Sequence, residues 1–298
     1  MVNLYQMDDL SNDEIHDVLQ LAEQYKREER KQSFEGRTGA LLFYEPSTRT
    51  KMSFDMACQK LNIPVLSFSE ATSSVTKGES LYDTVKTVEA IGADFVVIRH
   101  PDANYFDQLT GINIPVINGG DGTGEHPTQC LLDLMTIKEQ FQEFAGLTVT
   151  ICGDIRHSRV ARSNAFALNR LGVHVKLSAP EAWQDDTLPF PYQSIDDAVK
   201  DSDVMMLLRV QAERHDSPVS FDHYLTSYGL TIERAERMRT NSMILHPAPV
   251  NRGVEIDSKL VESKKSFIFK QMENGVYVRQ AVIDLLLNQG GIHNEKTD

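Results

Sequence analysis

The sequence predicts an α/β protein of two domains, each an open, mainly parallel sheet flanked by helices. Short apolar runs that suit buried strands alternate with helical segments along the 298 residues. The run 128–143 reads as one long helix between two groups of four strands, and a closing helix over 276–288 is apolar on one side. We therefore predict a first domain of residues 1–130 plus 277–298, to which the closing helix returns, and a second domain of residues 131–276.

Capping and stop signals define the first elements. Ser11 followed three residues later by Glu14 is a capping box, which predicts a helix that runs to about Lys31. Residues 40–44 are a short apolar run that suits a buried strand, and Pro46 ends it. A strand that stops at a proline and is followed at once by a helix signal is typical of a strand–turn–helix unit.

The segment 47–50, Ser-Thr-Arg-Thr, opens the next helix and is the most informative stretch of the chain. Unpaired backbone N–H groups and the positive end of the helix dipole lie at such a start, and a guanidinium with three hydroxyls can hold a phosphate dianion there. A simple helix cap beside a surface arginine is the structural alternative. The helix is expected over 51–61, with an apolar stripe formed by Met52, Met56, Cys58 and Leu61.

The remaining elements follow from the same alternation. Strands are predicted at 65–68, 94–98, 114–117, 147–152, 173–178, 203–208 and 243–246. Helices are predicted at 80–91, 103–109, 128–143, 159–171, 195–200 and 230–239. Eight strands could also close a barrel, but the long helix between the two groups of four favours two open sheets.

Composition limits the classes of partner. The net charge of −13 opposes a nucleic-acid or anionic-membrane surface. The N-terminus has no secretory signal, and no apolar run approaches the roughly 20 residues that span a membrane. Three cysteines, far apart in apolar segments, fit a reduced cytoplasmic protein better than a disulfide framework or a metal site. They are Cys58, Cys130 and Cys152.

Polar segments follow six of the predicted strands, and most of them carry arginine. Because the carboxyl ends of parallel strands meet at one edge of a sheet, where open α/β proteins bind ligands, these segments predict a site for several negative charges. They comprise Ser47–Thr50, Arg99–Pro101, Asn118–Gln129, Gly153–Arg159, Arg209–Gln211 and Pro247–Pro249.

Several chemistries are not supported by the motifs. Residues 73–79 lack the spacing of a phosphate loop, and Pro127 stands where a dinucleotide fingerprint starting at Gly122 would need its third glycine. There is no nucleophile elbow and no histidine–carboxylate pattern for a metal. We therefore expect no metal and no organic cofactor, with both reacting groups supplied by substrates that the protein orients.

At this point two motifs resemble those of the transcarbamoylases. Residues 47–50 resemble the family's carbamoyl-phosphate signature, and His126-Pro127-Thr128-Gln129 resembles its second signature. The segments 209–214 and 245–249 look like the aspartate branch, because the ornithine branch would carry His-Cys-Leu-Pro and Ser-Met-Gly motifs. The resemblance covers essentially the whole chain; Ala248 departs from the leucine that many relatives carry, and the role of 250–253 stays open.

The resemblance implies a reaction and a set of roles. The family transfers the carbamoyl group of carbamoyl phosphate to an amino acid, here the α-amine of L-aspartate, in pyrimidine biosynthesis. Phosphate would be held by Ser47, Thr48, Arg49 and Thr50; the carbonyl oxygen by Thr50, Arg99 and His126; and the carbamoyl amide by Gln129 and the carbonyls of Pro247 and Ala248. The aspartate carboxylates would be held by Arg159, Arg209 and Gln211, together with Lys77 of a neighbouring subunit.

The family also implies a cyclic homotrimer with shared active sites, in which Ser73 and Lys77 reach the neighbour, and a closure pair formed by Glu45 and Arg214. Whether regulatory chains join the trimer is left open. Taken singly, His126 also fits a helix cap, Gln129 a first-turn polar residue, and Arg209 and Lys77 solvated side chains. Three functions therefore remain as alternatives: an ornithine or other amino-acid carbamoyltransferase, a nucleotide-binding dehydrogenase and a non-catalytic anion-binding chain.

Overall fold

The computed structural model describes residues 2–67, 78–211 and 223–289. The chain forms two compact units, Met1–Met135 with Met272–Asp298 and Thr136–Gln271. The first segment of the first unit thus ends at residue 135, five residues after the predicted boundary at 130. Its second segment begins at residue 272, five residues before the predicted start at 277. Within the described ranges, no helix is long and apolar enough to cross a membrane.

The first unit is built on a four-stranded parallel sheet in the order β2-β1-β3-β4. Its strands are β1 (Gly39–Phe43), β2 (Val65–Ser67), β3 (Phe95–His100) and β4 (Val116–Asp121). The helices along this part of the chain are α1 (Asn12–Lys26), α2 (Thr48–Lys60), α3 (Leu81–Ala90) and α4 (Pro127–Phe141). β1 is buried along its whole length, which explains why its sequence is a continuous apolar run and not an alternating one.

The second unit contains another four-stranded parallel sheet, in the order β6-β5-β7-β8. Its strands are β5 (Thr148–Cys152), β6 (His174–Ser178), β7 (Val204–Leu207) and β8 (Met243–Leu245). Its helices are α5 (Arg159–Arg170), α6 (Ile195–Asp201), α7 (Tyr224–Tyr228) and α8 (Ile232–Glu236), after which α9 (Ile268–Gln289) follows. The prediction of two open parallel sheets is confirmed.

The final helix returns to the first unit, as expected. The buried Asp284 carboxylate accepts a hydrogen bond from the Tyr25 hydroxyl (2.5 Å) and pairs with Arg30 (2.5 Å). α9 begins at Ile268, eight residues before the predicted start, because Gly275 does not break it. A Cβ at Gly275 would lie 2.6 Å from the Arg279 guanidinium, so the glycine makes room for that side chain.

The expected apolar stripe of α2 is partly wrong. Met52 and Met56 are 64% and 45% exposed, whereas Phe54, Ala57 and Cys58 are fully buried. The helical period is right but the buried face is rotated, because the phenylalanine ring faces the interior of the unit. Leu61, the last member of the predicted stripe, is fully buried.

Other boundaries differ for local reasons. The predicted helix 103–109 is a short 3₁₀ turn over Tyr105–Leu109, and the helix predicted at 230–239 is the shorter α8, preceded by α7, which the sequence analysis did not predict. The first helix ends at Lys26, not at about Lys31. β4 reaches Asp121, four residues beyond its predicted end, because its pairing with β3 continues past an irregularity to match His100 with Asp121.

Candidate active site

The start of α2 has the geometry of an anion site. Ser47 occupies the N-cap position with an extended backbone (φ −154°, ψ 100°), and its hydroxyl makes no capping bond to the helix. Thr48 and Arg49 are exposed, Thr50 is buried, and the first turn of α2 carries no acidic side chain. The positive end of the helix dipole is therefore not offset by a carboxylate of that turn, which suits an anionic ligand.

Arg99 lies beside this helix start. It pairs with Phe43 in the sheet, and its carbonyl accepts a hydrogen bond from the Tyr44 N–H (2.8 Å). Its guanidinium lies 3.1 Å from the Glu45 carboxylate and donates to the Gly119 carbonyl (3.2 Å). The sheet register thus places a positive charge next to the turn between β1 and α2.

Asp121 organises the loop that leads to His126. Its buried carboxylate accepts hydrogen bonds from the N–H groups of Asn104 (2.8 Å) and Glu125 (2.7 Å) and from the Asn118 amide (2.9 Å). A Cβ at Gly124 would lie 2.4 Å from the same carboxylate, so this position accepts no larger residue without movement. The loop ends at His126, which is buried and directly precedes the first residue of α4.

Gln129 and Arg279 are buried near the first turn of α4. The Gln129 amide donates to the Asp133 carboxylate one turn later (2.9 Å). Arg279 of α9 donates to the Ser53 hydroxyl (2.9 Å) and the Thr128 hydroxyl (3.4 Å), and its guanidinium lies 4.9 Å from the centre of the Phe54 ring. This buried cation therefore connects the second turn of α2 with the first turn of α4.

The second unit contains a hydrogen-bonded cluster of predicted site residues and their neighbours around Asp154. The buried Asp154 carboxylate lies 2.7 Å from the His157 imidazole Nδ1 and accepts the Gln211 N–H at 3.3 Å. The Gln211 amide donates to the His157 carbonyl (3.0 Å). These bonds bring the segment after β7, which includes the half-buried Arg209, to the start of α5, where Arg159 is buried.

The segment after β8 adopts an unusual backbone conformation. Ala248 has φ +57°, in the left-handed region that costs a non-glycine residue about 1–2 kcal/mol. The conformation is held by His246, whose Nδ1 lies 2.9 Å from the Ala248 N–H and whose Nε2 lies 3.0 Å from the buried Glu255 carboxylate. Asn251, in the segment whose role the sequence left open, donates its N–H to Glu255 (2.6 Å) and its amide to the Val210 carbonyl (3.3 Å).

The two units therefore contain separate groups of the predicted site residues. The first holds Ser47, Thr48, Arg49, Thr50, Arg99, His126 and Gln129, and the second holds Arg159, Arg209, Gln211, Pro247 and Ala248. Ser73, Lys77 and Arg214 lie outside the described residues. Glu45, expected from the resemblance to act in closure, pairs with Arg99 in the first unit.

Sequence reasoning missed four residues that shape these groups. Asp121 and Asp154 lie beside glycines in segments already singled out, so their positions carried a usable signal. Glu255 and Arg279 carried none, because their partners are distant in the sequence or belong to another element. Within 2–67, 78–211 and 223–289, no group of three or more His, Cys, Asp or Glu side chains could hold a metal ion.

Comparison with known proteins gives matches over nearly the whole chain. The family model for aspartate/ornithine carbamoyltransferase, carbamoyl-P binding domain, matches residues 3–139, and the model for its Asp/Orn binding domain matches residues 145–286. The aspartate carbamoyltransferase catalytic subunit of Staphylococcus carnosus is 54% identical over 289 residues, which are 96% of this chain and 96% of that protein.

Solved structures of aspartate transcarbamoylases also match this chain. The catalytic subunit of M. Jannaschii aspartate transcarbamoylase is 32% identical with a TM-score of 0.86, and the match covers 100% of both chains. Aspartate transcarbamoylase from Trypanosoma cruzi, solved with carbamoyl phosphate, is 27% identical with a TM-score of 0.85, over 94% of each chain. The same enzyme has been solved with carbamoyl aspartate and phosphate, again at a TM-score of 0.85 and 94% coverage of each chain.

Proposed function

The chain belongs to the aspartate/ornithine carbamoyltransferase family, and we propose how its residues carry out the reaction of the aspartate branch. The enzyme transfers the carbamoyl group of carbamoyl phosphate to the α-amine of L-aspartate, giving N-carbamoyl-L-aspartate and phosphate. The observation that carries this function is the 54% identity, over 96% of the chain, to an aspartate carbamoyltransferase catalytic subunit.

Carbamoyl phosphate binds to the first unit in this proposal. The phosphate lies at the start of α2, held by the N–H groups of the first turn and by Ser47, Thr48, Arg49 and Thr50. The absence of an acidic side chain from that turn supports this placement. Thr50, Arg99 and His126 contact the carbonyl oxygen, and Gln129 orients the carbamoyl amide, assisted by the carbonyls of Pro247 and Ala248.

The second unit binds aspartate, through Arg159, Arg209 and Gln211. Two guanidinium groups suit a dicarboxylate, because each can make paired, charge-assisted hydrogen bonds to a carboxylate. The same charges would repel the side-chain amine of ornithine. The assignment of carbamoyl phosphate to the first domain and of aspartate to the second, predicted for residues 1–130 plus 277–298 and for residues 131–276, thus applies in this proposal to the first and second units, whose boundaries lie at Met135 and Met272.

The chemistry requires orientation and charge stabilisation more than a protein base. The neutral α-amine attacks the carbamoyl carbon, and the carbonyl π electrons move to the oxygen, where Thr50, Arg99 and His126 stabilise the new negative charge. The tetrahedral intermediate then collapses, the bond from carbon to the bridging phosphate oxygen breaks, and the departing phosphate takes the proton that the amine nitrogen loses. Each step moves charge towards groups that are already in place.

We also propose the setting in which the enzyme works. It acts in de novo pyrimidine biosynthesis in the cytoplasm, and the three cysteines, which are buried and form no disulfide bond, suit a reducing compartment. It forms a cyclic homotrimer in which Lys77 of one chain completes the site of its neighbour. This assembly rests on the family resemblance of the segment around Lys77.

A substrate comparison tests the assignment. The purified protein with carbamoyl phosphate should turn over L-aspartate, should be inhibited competitively by succinate, and should turn over ornithine negligibly. Arg209→Gln should raise the KM for aspartate without changing carbamoyl phosphate binding. Arg239→Gln is the matched control, since Arg239 is an exposed arginine of the same unit that pairs with Asp203. Comparable turnover of ornithine would contradict the aspartate assignment, and no turnover of either amino acid would indicate a non-catalytic chain.

A further inference from the structure

The buried imidazole of His246 has two different partners, and together they determine its hydrogen-bonding state. The Ala248 N–H lies 2.9 Å from Nδ1, so Nδ1 must be the acceptor. Nε2 must then carry the proton and donate to Glu255 Oε1 at 3.0 Å. Glu255 is itself held by the Asn251 N–H (2.6 Å), and the side chains of His246 and Glu255 are 0% and 3% exposed.

The bond to Ala248 also controls a neighbouring carbonyl. The Ala248 N–H and the Pro247 C=O belong to one peptide group, which is planar and trans, so they point in opposite directions. Fixing the N–H therefore fixes the direction of the Pro247 carbonyl. The left-handed φ of +57° at Ala248 is one of the two backbone angles that set the direction of the Ala248 carbonyl relative to this peptide group.

We propose that His246 is a positioning residue of the carbamoyl transfer reaction: its Nδ1 accepts the Ala248 N–H and thereby aims the Pro247 carbonyl at the carbamoyl amide. Glu255 is the second positioning residue, because its carboxylate holds the proton of the imidazole on Nε2. This inference rests on the proposed function, in which the carbonyls of Pro247 and Ala248 bind that amide. It assigns His246 no contact with substrate.

Two substitutions separate the halves of the imidazole. His246→Asn places an oxygen near the position of Nδ1 and keeps an acceptor for the Ala248 N–H, whereas His246→Gln places an amide near Nε2 and keeps only a donor to Glu255. Both variants lose one buried hydrogen bond, so both should unfold at a lower temperature than the unmodified protein. His174→Gln is the matched control, because His174 is an exposed histidine of β6 in the same unit.

The activities should diverge although the stabilities do not. His246→Gln should lower kcat/KM for carbamoyl phosphate on the order of 10- to 100-fold, the size expected when a contact is misplaced by a fraction of an ångström to 1 Å. His246→Asn should stay within about threefold, since the acceptor is retained. The Ki of inorganic phosphate as a competitor should be unchanged in both, because phosphate binds at the start of α2. Equal losses of kcat/KM in the two variants would overturn the proposal.

The protonation of the two His246 nitrogens can also be measured on the unmodified protein, so this test does not depend on whether a variant folds. With ¹⁵N-labelled histidine, the imidazole shifts of His246 should identify Nε2 as the protonated nitrogen and Nδ1 as the hydrogen-bond acceptor. A proton on Nδ1 would overturn the proposal. Turnover of aspartate by the unmodified protein is measured first; its absence would count against the proposed function, while the ¹⁵N shifts would still decide the state of His246.

Discussion

Arg99 and Arg279 concentrate positive charge in a protein whose net charge is −13. Burial lowers the pKa of the Arg279 guanidinium to about 9, the Asp133 carboxylate raises it, and the Arg99 guanidinium lowers it further. The last effect is repulsion between two cations, and it indicates a positive potential in this part of the first unit. A phosphate dianion bound nearby would attract both cations and offset their mutual repulsion. Binding would therefore be more favourable than in a site without this repulsion.

Arg49 should contribute directly to that affinity. Replacing it with alanine removes charge-assisted hydrogen bonds worth about 1.5–3 kcal/mol, so carbamoyl phosphate should bind about 10- to 150-fold more weakly, as measured by calorimetry and steady-state kinetics. Arg37→Ala is the matched control, because Arg37 is an exposed arginine of the same unit that pairs with Asp94 near the opposite end of β1. Near-native binding by the Arg49 variant would mean that the start of α2 does not hold the phosphate.

The position of α4 depends on the tight loop that precedes it. The loop before α4 depends on Asp121, whose carboxylate gathers three donors, and on Gly124, which packs against that carboxylate. Because such a loop has few alternative conformations, a change within it moves His126 as well. The position of the site residue is therefore a property of the loop and its helix together.

Gly124→Ala tests this dependence. The new Cβ would lie 2.4 Å from the Asp121 carboxylate, so the loop must shift, and we expect weaker carbamoyl phosphate binding together with a lower melting temperature. Gly92→Ala is the control: its φ of +99° also strains an alanine, but open space surrounds it. It should lower stability by about 1–2 kcal/mol without affecting binding. Equal effects of the two variants on binding would contradict the role of the loop.

Ion pairing between α6 and α8 makes stability depend on pH. Hydrogen bonds from Arg234, then from Arg237, lower the pKa of Asp196 to about 2 from its ordinary value of 3.8. A lowered pKa in the folded state means that the contribution is fully present above about pH 4 and is lost as the pH falls through 2. Because Asp196 is half exposed, the contribution should be below about 1 kcal/mol.

Urea unfolding of the unmodified protein and of Asp196→Asn between pH 7 and pH 3 measures this contribution. The difference in the free energy of unfolding should be constant from pH 7 to about pH 4.5 and should shrink below that, as the carboxylate of the unfolded chain begins to take up protons. A difference that stays the same at pH 3 would assign the effect to something other than the charge of Asp196.

The whole molecule combines an acidic surface with cationic groups at the carboxyl ends of its strands. Both proposed substrates are anions, so the net charge opposes their approach and the local arginines must overcome it. Raising the salt concentration should therefore weaken the attraction of exposed groups such as Arg49 more than that of buried groups such as Arg159. In the proposed trimer, Lys77 from a neighbouring chain adds one more positive charge to each site.

Hybrid trimers test the proposed assembly. Lys77→Ala and Arg49→Ala chains should each be nearly inactive alone, whereas every mixed cyclic trimer contains one site with Arg49 from one chain and Lys77 from the next. An equal random mixture should regain about a quarter of the unmodified activity per chain. A mixture of two Arg49→Ala preparations is the control. If the subunits exchange, as native mass measurements can show, and no activity returns, the sites are not shared.

The sequence by itself determined the alternation of strands and helices and the family, and it predicted an anion site at the start of α2. These rest on local signals: a continuous apolar run predicts a strand buried on both faces, and a cap followed by a periodic segment predicts a helix start. Ser47, placed at the N-cap from sequence, occupies that position in the structure. The same local signals did not distinguish Met52 from Phe54 as the buried side chain of α2, because both fit a helical period.

Only the tertiary structure decided which residues hold the site groups in place. Arg279 reaches Ser53 across 226 positions of sequence, and Tyr25 reaches Asp284 across 259. β4 extends to Asp121 because β3 lies beside it, and Ala248 takes a left-handed φ where His246 accepts its N–H. No sequence period encodes such pairs. They form because folding buries polar groups, and each buried donor or acceptor must then find its partner in whichever element the fold brings close.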